Sequence, residues 1–208
     1  MIKNFYTLTK KKKVRNPHFD KHGIELPCYM LIIGGSGAGK TNVLLQFIHL
    51  TTETFDNIVI CTRNKDEPLY NLLQDKVPDI TFYENEIPDI EDFSNSKMSL
   101  ICFDDLVLDK DLNNKIQEYY IRARKKNITC IYLSQSYYKI PKLIRINARY
   151  IIIKKLASLK DLKLIISEYA LDNVNNILEL YKQATKDFTD FLLIDVFNNT
   201  FRKNFTNI

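Results

Sequence analysis

At residues 34–41 the chain reads Gly34-Gly35-Ser36-Gly37-Ala38-Gly39-Lys40-Thr41. This stretch matches the pattern G-x-x-x-x-G-K-[ST], whose fixed positions arise by chance in a chain of this size in fewer than about one case in a hundred. The apolar run Tyr29–Ile33 directly precedes it, and a segment of helical period begins at Lys40. Such a turn between a strand and a helix points successive backbone amides at phosphate oxygens. The sequence therefore predicts a phosphate-binding loop, against the alternative of a glycine-rich turn without a ligand.

The last two residues of this loop would supply the side-chain contacts to a bound nucleotide. A lysine at position 40 reaches the β- and γ-phosphates, and the hydroxyl of Thr41 ligates Mg²⁺. All eight residues are therefore predicted to bind nucleotide, and Thr41 is in addition a predicted metal ligand.

Around the loop, short apolar runs alternate with longer segments of helical period. The predicted strands are Tyr29–Ile33, Asn57–Cys61, Ile80–Tyr83, Leu100–Phe103, Thr129–Leu133, Tyr150–Ile153 and Phe191–Val196. The predicted helices are Lys40–Leu50, Asp111–Lys125, Leu159–Tyr169 and Asn173–Tyr181. Most of the strands are apolar throughout, as strands buried on both faces of a parallel sheet are. The predicted fold class is α/β, a three-layer P-loop NTPase fold with a mainly parallel sheet.

Two acidic residues follow the strand Leu100–Phe103. Asp104 and Asp105 are expected at the carboxyl edge of the sheet, where ligands of α/β proteins collect. Asp104 is a candidate Mg²⁺ ligand acting through water, because that cation keeps much of its hydration shell. Asp105 is a candidate to orient or deprotonate an attacking water. The alternative is an Asp-Asp turn that only opens the following loop.

A polar residue, Gln135, follows the strand Thr129–Leu133. Its amide can touch a γ-phosphate or an attacking water only if this strand lies between the phosphate-loop strand and the strand before Asp104. We predict that order of strands and take Gln135 as a candidate γ-phosphate sensor. The alternative is an ordinary polar residue at the end of a strand.

The helix Asp111–Lys125 ends in the basic segment Arg122-Ala123-Arg124-Lys125-Lys126. Residues two apart on a helix point about 200° away from each other, so Arg122 and Arg124 can serve different surfaces. An arginine supplied by a neighbouring subunit can stabilise a transferring phosphoryl group. A basic last turn is also favoured by the helix dipole alone. Spacing leaves both interpretations open.

Taken together, these motifs resemble the poxvirus-type genome-packaging ATPases of the FtsK/HerA superfamily. The resemblance rests on residues 28–41, Ile60-Cys61-Thr62, Glu67-Pro68-Leu69-Tyr70, Phe103-Asp104-Asp105, residues 122–129, Leu133-Ser134-Gln135-Ser136, residues 141–148, Phe191–Asp195 and Phe201–Phe205. It covers nearly the whole chain past residue 24. The most specific part is Arg124 before Asn127-Ile128-Thr129, followed by Gln135 and then Arg145-Ile146-Asn147.

The resemblance implies an ATP-driven motor that threads double-stranded DNA into a preformed viral capsid, working as a homo-oligomeric ring with sites at subunit boundaries. Its cofactors would be ATP and Mg²⁺, and its partners double-stranded DNA and capsid or portal-vertex proteins. Catalysis would fall to Lys40, Asp105, Gln135 and, as a finger reaching the neighbour's ATP, Arg124. Many members have Glu at the place of Asp105. Much of the family has Gly-Arg-His at 123–125, which leaves Arg122 and Arg145 as alternative fingers.

Composition places this chemistry in a globular protein. The chain has 208 residues, 45% hydrophobic and 26% charged, with a net charge of +5. We predict a basic arm at 1–23, containing Lys10–Lys13 and Arg15, and one P-loop ATPase domain at 24–208. The arm is a candidate contact for DNA or capsid through phosphate attraction that does not depend on base sequence. The four cysteines are far apart, which predicts buried free thiols.

No apolar run approaches the roughly 20 residues of a membrane span, and the start of the chain has no apolar signal segment. We therefore expect no integral membrane segment and no secretion. The expected location is inside a cell; for a packaging ATPase this means the host cytoplasm or a virus factory, or transport with the virion.

Three other functions are alternatives for a compact P-loop protein. A nucleotide or nucleoside kinase would need an arginine-rich lid and an acceptor pocket, and Asp104-Asp105 with Gln135 favours hydrolysis over such transfer. A non-hydrolysing DNA-binding or scaffold protein is disfavoured by the intact Lys40, Asp104 and Asp105. A GTPase is disfavoured because Asn64-Lys65-Asp66-Glu67 misses the guanine pattern and precedes the Asp104 strand.

Overall fold

The centre of the fold is one mixed sheet of eight strands. The computed structural model describes Lys3, Phe5 and residues 14–106, 109–169 and 174–205. The strands are β1 Tyr29–Ile33, β2 Asn57–Thr62, β3 Ile80–Glu84, β4 Ser99–Asp104, β5 Ile128–Ser134, β6 Tyr150–Ile153, β7 Leu192–Asp195 and β8 Thr200–Lys203. The helices are α1 Phe19–His22, α2 Lys40–Leu50, α3 Pro68–Lys76, α4 Lys110–Arg122, α5 Lys142–Asn147, α6 Leu159–Glu168 and α7 Val174–Ala184. All seven predicted strands are present.

The strands lie in the order β3-β2-β4-β5-β1-β6-β7-β8. The six from β3 to β6 are mutually parallel, whereas β7 is antiparallel to β6 and β8 is antiparallel to β7. The strand β5 lies between β1 and β4, as the position of Gln135 requires. The predicted α/β class and mainly parallel sheet are therefore confirmed.

The strand sequences explain their place in the sheet. Every residue of β1, β5 and β6 is buried, which matches their largely apolar composition; the exceptions are Thr129 and Ser134 of β5. The helices α4, α5, α6 and α7 pack on one face of the sheet, and α2 and α3 pack on the other. This gives the three layers that the sequence predicts. The four cysteines are buried free thiols, as expected.

The strand register lines up the carboxyl ends of the central strands. Ile33 of β1 pairs with Ser134 of β5, and Leu133 of β5 pairs with Asp104 of β4. Residues 34, 104–105 and 135 therefore leave the sheet at the same edge. We call this the carboxyl edge, and the opposite side, where β1 and β5 begin, the amino edge.

The predicted arm at 1–23 lies partly outside the described residues, and Lys10–Lys13 fall in that part. In the described part, the Arg15 guanidinium forms an ion pair with Asp56 at 2.7 Å. His22 is fully buried, and its ring contacts Phe47. Arg15 and His22 thus contact the body of the protein, and the division into an arm and a domain stays a prediction.

Three helices have no counterpart among the predicted elements: α1, α3 and α5. Each is shorter than ten residues, too short for a clear helical period. The predicted helix Asp111–Lys125 in fact ends at Arg122, and Ala123–Lys126 forms a 3-10 turn. Asn127 then adopts a left-handed conformation with φ of 57°, which turns the chain into β5. Among the described residues, no helix is long and apolar enough to cross a bilayer.

Candidate functional site

The loop at 34–41 connects β1 to α2 at the carboxyl edge. Gly39 precedes the first residue of α2 with φ of 85°, a left-handed conformation that costs glycine nothing and other residues more. The amide of Gly34 donates to the carbonyl of Ser134 at 3.2 Å, and that of Gly35 donates to the carbonyl of Lys155 at 3.0 Å. These bonds anchor the start of the loop between the ends of β5 and β6.

Position 34 allows no side chain. A Cβ placed there would lie 2.6 Å from the Cβ of Lys154, which real Cβ atoms do not tolerate. Lys154 directly follows β6, so the missing side chain at Gly34 lets the loop lie against that strand. This close approach is the physical reason for glycine at the first position of the motif.

The ammonium of Lys40 lies inside the curl of the loop. Its Nζ donates to the carbonyls of Gly34 and Gly35 at 3.2 and 3.4 Å, and the side chain is almost fully buried. Thr41 follows it in the first turn of α2. The positive charge of Lys40 and the amino end of the helix therefore act on the same space, which suits a polyphosphate.

Asp104 is the last residue of β4. Because β5 is the single strand between β4 and β1, and β1 leads into the loop, Asp104 lies close to the loop. Burial raises the pKa of its carboxyl to about 6, while a hydrogen bond from the Tyr70 hydroxyl lowers it. That bond is 2.7 Å long and ends on Oδ2. Tyr70 lies on α3 and is fully buried, so it fixes the orientation of the carboxylate.

Tyr70 is a residue of the site that spacing does not identify. It is part of Glu67-Pro68-Leu69-Tyr70, a segment that contributes to the family resemblance but shows no partner in the sequence. The proline begins α3, as proline often does at the first turn of a helix. Tyr70 lies two residues further along, still in the first turn of α3, and its hydroxyl reaches Asp104 of β4.

Asp105 and Gln135 meet at the carboxyl edge. The Gln135 side-chain amide donates to the Asp105 carboxylate at 2.7 Å. Asp105 has a φ of 50°, and its backbone amide donates to the carbonyl of Leu133 at 3.2 Å. Left-handed backbone in a non-glycine residue costs free energy, and such strain collects at functional sites. The turn aims the Asp105 side chain toward β5 and Gln135.

The loop after Gln135 is held by a third carboxylate. Asp161 on α6 accepts hydrogen bonds from the backbone amides of Tyr137 and Tyr138, at 2.9 and 3.3 Å. The same carboxylate lies 3.4 Å from the Ser136 hydroxyl. Asp161 therefore positions the segment that carries Gln135, and no motif marks it in the sequence.

The oxygen donors at this edge suit Mg²⁺. Thr41 offers a hydroxyl, and Asp104 offers a carboxylate with one oxygen, Oδ1, not used by Tyr70. In phosphate-binding sites, Mg²⁺ is typically bound by oxygen atoms of only one or two side chains. Water and substrate oxygens complete its coordination shell. The residues present therefore fit the predicted metal.

The three candidate arginines differ in their surroundings. Arg122 forms ion pairs with Glu118 and Glu91. Arg145 is 12% exposed and pairs with Glu168 at 3.1 Å. The exposed Arg124 guanidinium has no hydrogen-bond or ion-pair partner within residues 14–106, 109–169 and 174–205.

Arg124 lies at the amino edge, away from the phosphate loop of its own chain. Its backbone amide donates to the hydroxyl of Tyr29, the first residue of β1, at 3.1 Å. The loop begins at the other end of that strand, whose five residues span roughly 16 Å. The structure therefore brings Lys40, Asp104, Asp105 and Gln135 to one edge and leaves Arg124 at the other.

Comparison with known families gives one match that spans most of the chain. Residues 17–203 match the family described as Poxvirus A32 protein. No curated protein sequence matches the chain.

Solved structures give the same fold. The genome packaging NTPase B204 from Sulfolobus turreted icosahedral virus 2, in complex with AMPPCP, matches with a TM-score of 0.63 and 19% identity, over 88% of this chain and 98% of its own. The DNA-packaging ATPase B204 from Sulfolobus Turreted Icosahedral Virus matches with a TM-score of 0.63 and 20% identity, over 89% and 100%.

A third structure is the cytoplasmic domain of the Type VII secretion ATPase EccC from Thermomonospora curvata. It matches with a TM-score of 0.61 and 12% identity, over 85% of this chain and 25% of its own. At these sequence identities, the solved structures establish only the P-loop NTPase fold. The match to the family model over residues 17–203 establishes family membership.

Proposed function

The chain belongs to the poxvirus A32 protein family, and from that membership we propose that it is an ATP-hydrolysing motor that moves double-stranded viral DNA into a preformed capsid. The observation that supports hydrolysis best is the Asp105–Gln135 hydrogen bond beside the phosphate loop. This bond links two groups with complementary roles. The Asp105 carboxylate can accept a proton, and the Gln135 amide can bind a water molecule or a phosphate oxygen.

The chemistry follows from the positions of these groups. The loop amides and Lys40 would hold the triphosphate of ATP. Asp105 would accept a proton from a water that attacks the γ-phosphorus, while the bond from that phosphorus to the β–γ bridging oxygen breaks. The products are ADP and phosphate. Because the Gln135 Nε2 is held by Asp105, its amide oxygen can accept a hydrogen bond from the same water.

Mg²⁺ would be held by Thr41 and, through water, by Asp104. When bound, it would neutralise negative charge that develops on the phosphates during hydrolysis. The Tyr70 hydroxyl keeps the Asp104 carboxylate in one orientation for this task.

We propose that the motor is a homo-oligomeric ring in which Arg124 reaches the ATP of the neighbouring subunit. Three observations support this. Arg124 lies about one strand length from its own phosphate loop, and its guanidinium has no partner among the described residues. Three exposed apolar side chains, Ile121, Ile146 and Phe197, line the two clefts that contain Arg124, as a subunit contact would need.

The remaining parts of the proposal concern partners and location. Double-stranded DNA would be contacted through phosphate attraction by basic segments such as 10–15. Capsid or portal-vertex proteins would dock the ring. The work would take place inside the host cell, in the cytoplasm or a virus factory, and the protein could travel with the virion.

ATP hydrolysis measured with and without double-stranded DNA tests this function. We expect release of phosphate that increases when DNA is added. Nucleoside monophosphates added as alternative acceptors should remain unphosphorylated. Transfer of phosphate to a nucleoside would identify a kinase instead, and a protein that binds ATP and DNA without turnover would be a scaffold.

Replacing Tyr70 with phenylalanine should shift the acid limb of activity to higher pH. Asp104 must be ionised to serve Mg²⁺, and its pKa is about 6, so kcat/KM should fall as the pH drops through that value. The Tyr70 hydrogen bond lowers this pKa, hence its loss should raise the pKa further, by about one unit. At pH 7 the variant would then keep only part of its activity.

The control for this prediction is Tyr119→Phe. The Tyr119 hydroxyl is also buried but donates to the carbonyl of Pro88, away from the site. We expect similar loss of thermal stability in both variants and a displaced pH profile only for Tyr70→Phe. Identical profiles for the two variants would contradict a positioning role for Tyr70.

A further inference from the structure

A cleft adjoins the phosphate loop on the side away from Asp105 and Gln135. It has a volume of about 600 Å³ and is formed by three segments: residues 35–38 of the loop, residues 154–157 after β6, and residues 185–190 before β7. None of the predicted catalytic side chains lines it, and the loop contributes only residues 35–38. The sequence motifs assign no function to residues 154–157 and 185–190, which form the rest of this cleft.

The order of strands gives this cleft its place relative to a bound triphosphate. The hydrolytic residues follow β4 and β5, on one side of β1, and the cleft lies next to β6 and β7, on the other side. The terminal phosphate must face Asp105 and Gln135 for hydrolysis. The nucleoside end of the same molecule would then point toward β6 and this cleft.

Phe188 is the aromatic side chain of the cleft. It is 66% exposed, which is unusual for a phenylalanine, and it adjoins the loop. A Cβ placed on Gly39 would lie 3.2 Å from the Cζ of Phe188, so the ring lies against the end of the loop. A flat apolar face is thus available beside the phosphate-binding amides.

The segment that carries Phe188 is anchored. The ammonium of Lys154, which is 2% exposed, donates to the backbone carbonyls of Phe188 and Asp190. The same ammonium lies 5.5 Å from the centroid of the Phe188 ring. On the other wall, the amide of Leu156 donates to the hydroxyl of Tyr181 at 2.8 Å. Both walls are therefore held independently of any ligand.

We propose that this cleft binds the base of the nucleotide and that the purine stacks on the ring of Phe188. The proposal rests on the proposed function, because the triphosphate must bind to the loop for the base to reach the cleft. Lys154 acts as a positioning residue: it holds the backbone of Phe188 and, against Gly34, the start of the loop. One buried lysine would thereby link the base site to the phosphate site.

Calorimetry with two ligands tests this subsite, each in the presence of Mg²⁺. AMPPCP carries both base and phosphates, whereas inorganic tripolyphosphate carries phosphates alone. Stacking of a base on an aromatic side chain is a large enough contact that Phe188→Ala should weaken AMPPCP binding about tenfold. Its affinity for tripolyphosphate should not change. Phe188→Tyr keeps the aromatic face and should bind AMPPCP as the unmodified protein does.

Phe19→Ala is the matched control, because Phe19 is also an exposed phenylalanine, at 46%, but lies on α1 and lines neither this cleft nor the clefts that contain Arg124. It should leave the affinities for both ligands unchanged. Unaltered AMPPCP affinity in Phe188→Ala would overturn the subsite, as would an equal loss for tripolyphosphate, which would indicate damage to the loop. If the unmodified protein bound neither ligand, the proposed function itself would fail, and the base site with it.

Discussion

Asp105→Asn is expected to lower ATP turnover by about 10²- to 10⁴-fold, the usual contribution of a positioned general base. The asparagine side chain has nearly the same shape and can still accept the hydrogen bond from Gln135. It cannot take a proton from the attacking water. Binding of ATP should therefore be preserved while kcat falls, which steady-state hydrolysis together with a separate binding measurement would establish.

Asp109→Asn is the matched control for this variant. Asp109 caps α4 by accepting hydrogen bonds from the amides of Asp111 and Leu112. Asparagine caps helices about as well as aspartate, so both the fold and the turnover should be retained. Turnover in Asp105→Asn equal to that of the control would remove Asp105 from the mechanism and leave the base to be found elsewhere.

Arg124→Ala is expected to reduce turnover by about 10³- to 10⁵-fold, the range measured for arginine fingers. Because Arg124 would act on the neighbour's ATP, the loss should be reversible by mixing. A subunit carrying Lys40→Ala has a defective loop but an intact Arg124, and a subunit carrying Arg124→Ala has the reverse. In an equal random mixture, about a quarter of the interfaces would pair an intact loop with an intact finger.

Recovery of part of the activity on mixing is therefore the expected result, measured as ATP hydrolysis in the presence of DNA. Arg122→Ala serves as the control, since its ion pairs with Glu118 and Glu91 are exposed and contribute little. It should keep most of the turnover. No recovery in the mixture, or a larger loss in Arg122→Ala than in Arg124→Ala, would count against Arg124 as the finger.

Much of the fold could be predicted because its signals are local. The largely apolar composition of β1, β5 and β6 predicts that these strands are buried on both faces. The long helices have clear periods, whereas α3 and α5 are too short to show one. The eighth strand, Thr200–Lys203, is half exposed at the end of the sheet and therefore lacks an apolar run.

The phosphate loop is the part of the site that the sequence by itself determined. Its glycines, its lysine and the start of α2 lie within eight consecutive residues, so local backbone geometry is enough to form it. The position of the acidic pair at 104–105 could also be predicted, because the pair directly follows the apolar run Leu100–Phe103.

Only the tertiary structure decided which of these residues meet. Tyr70 and Asp104 are 34 residues apart, and Asp105 and Gln135 are 30 apart. Their contacts depend on β5 lying between β1 and β4, an order set by how helices pack on both faces and not by any one segment. The same order puts Phe188 against Gly39 and Arg124 at the opposite edge. Local sequence limits the backbone conformations of a segment. Which other segments it packs against depends on how the core as a whole is buried.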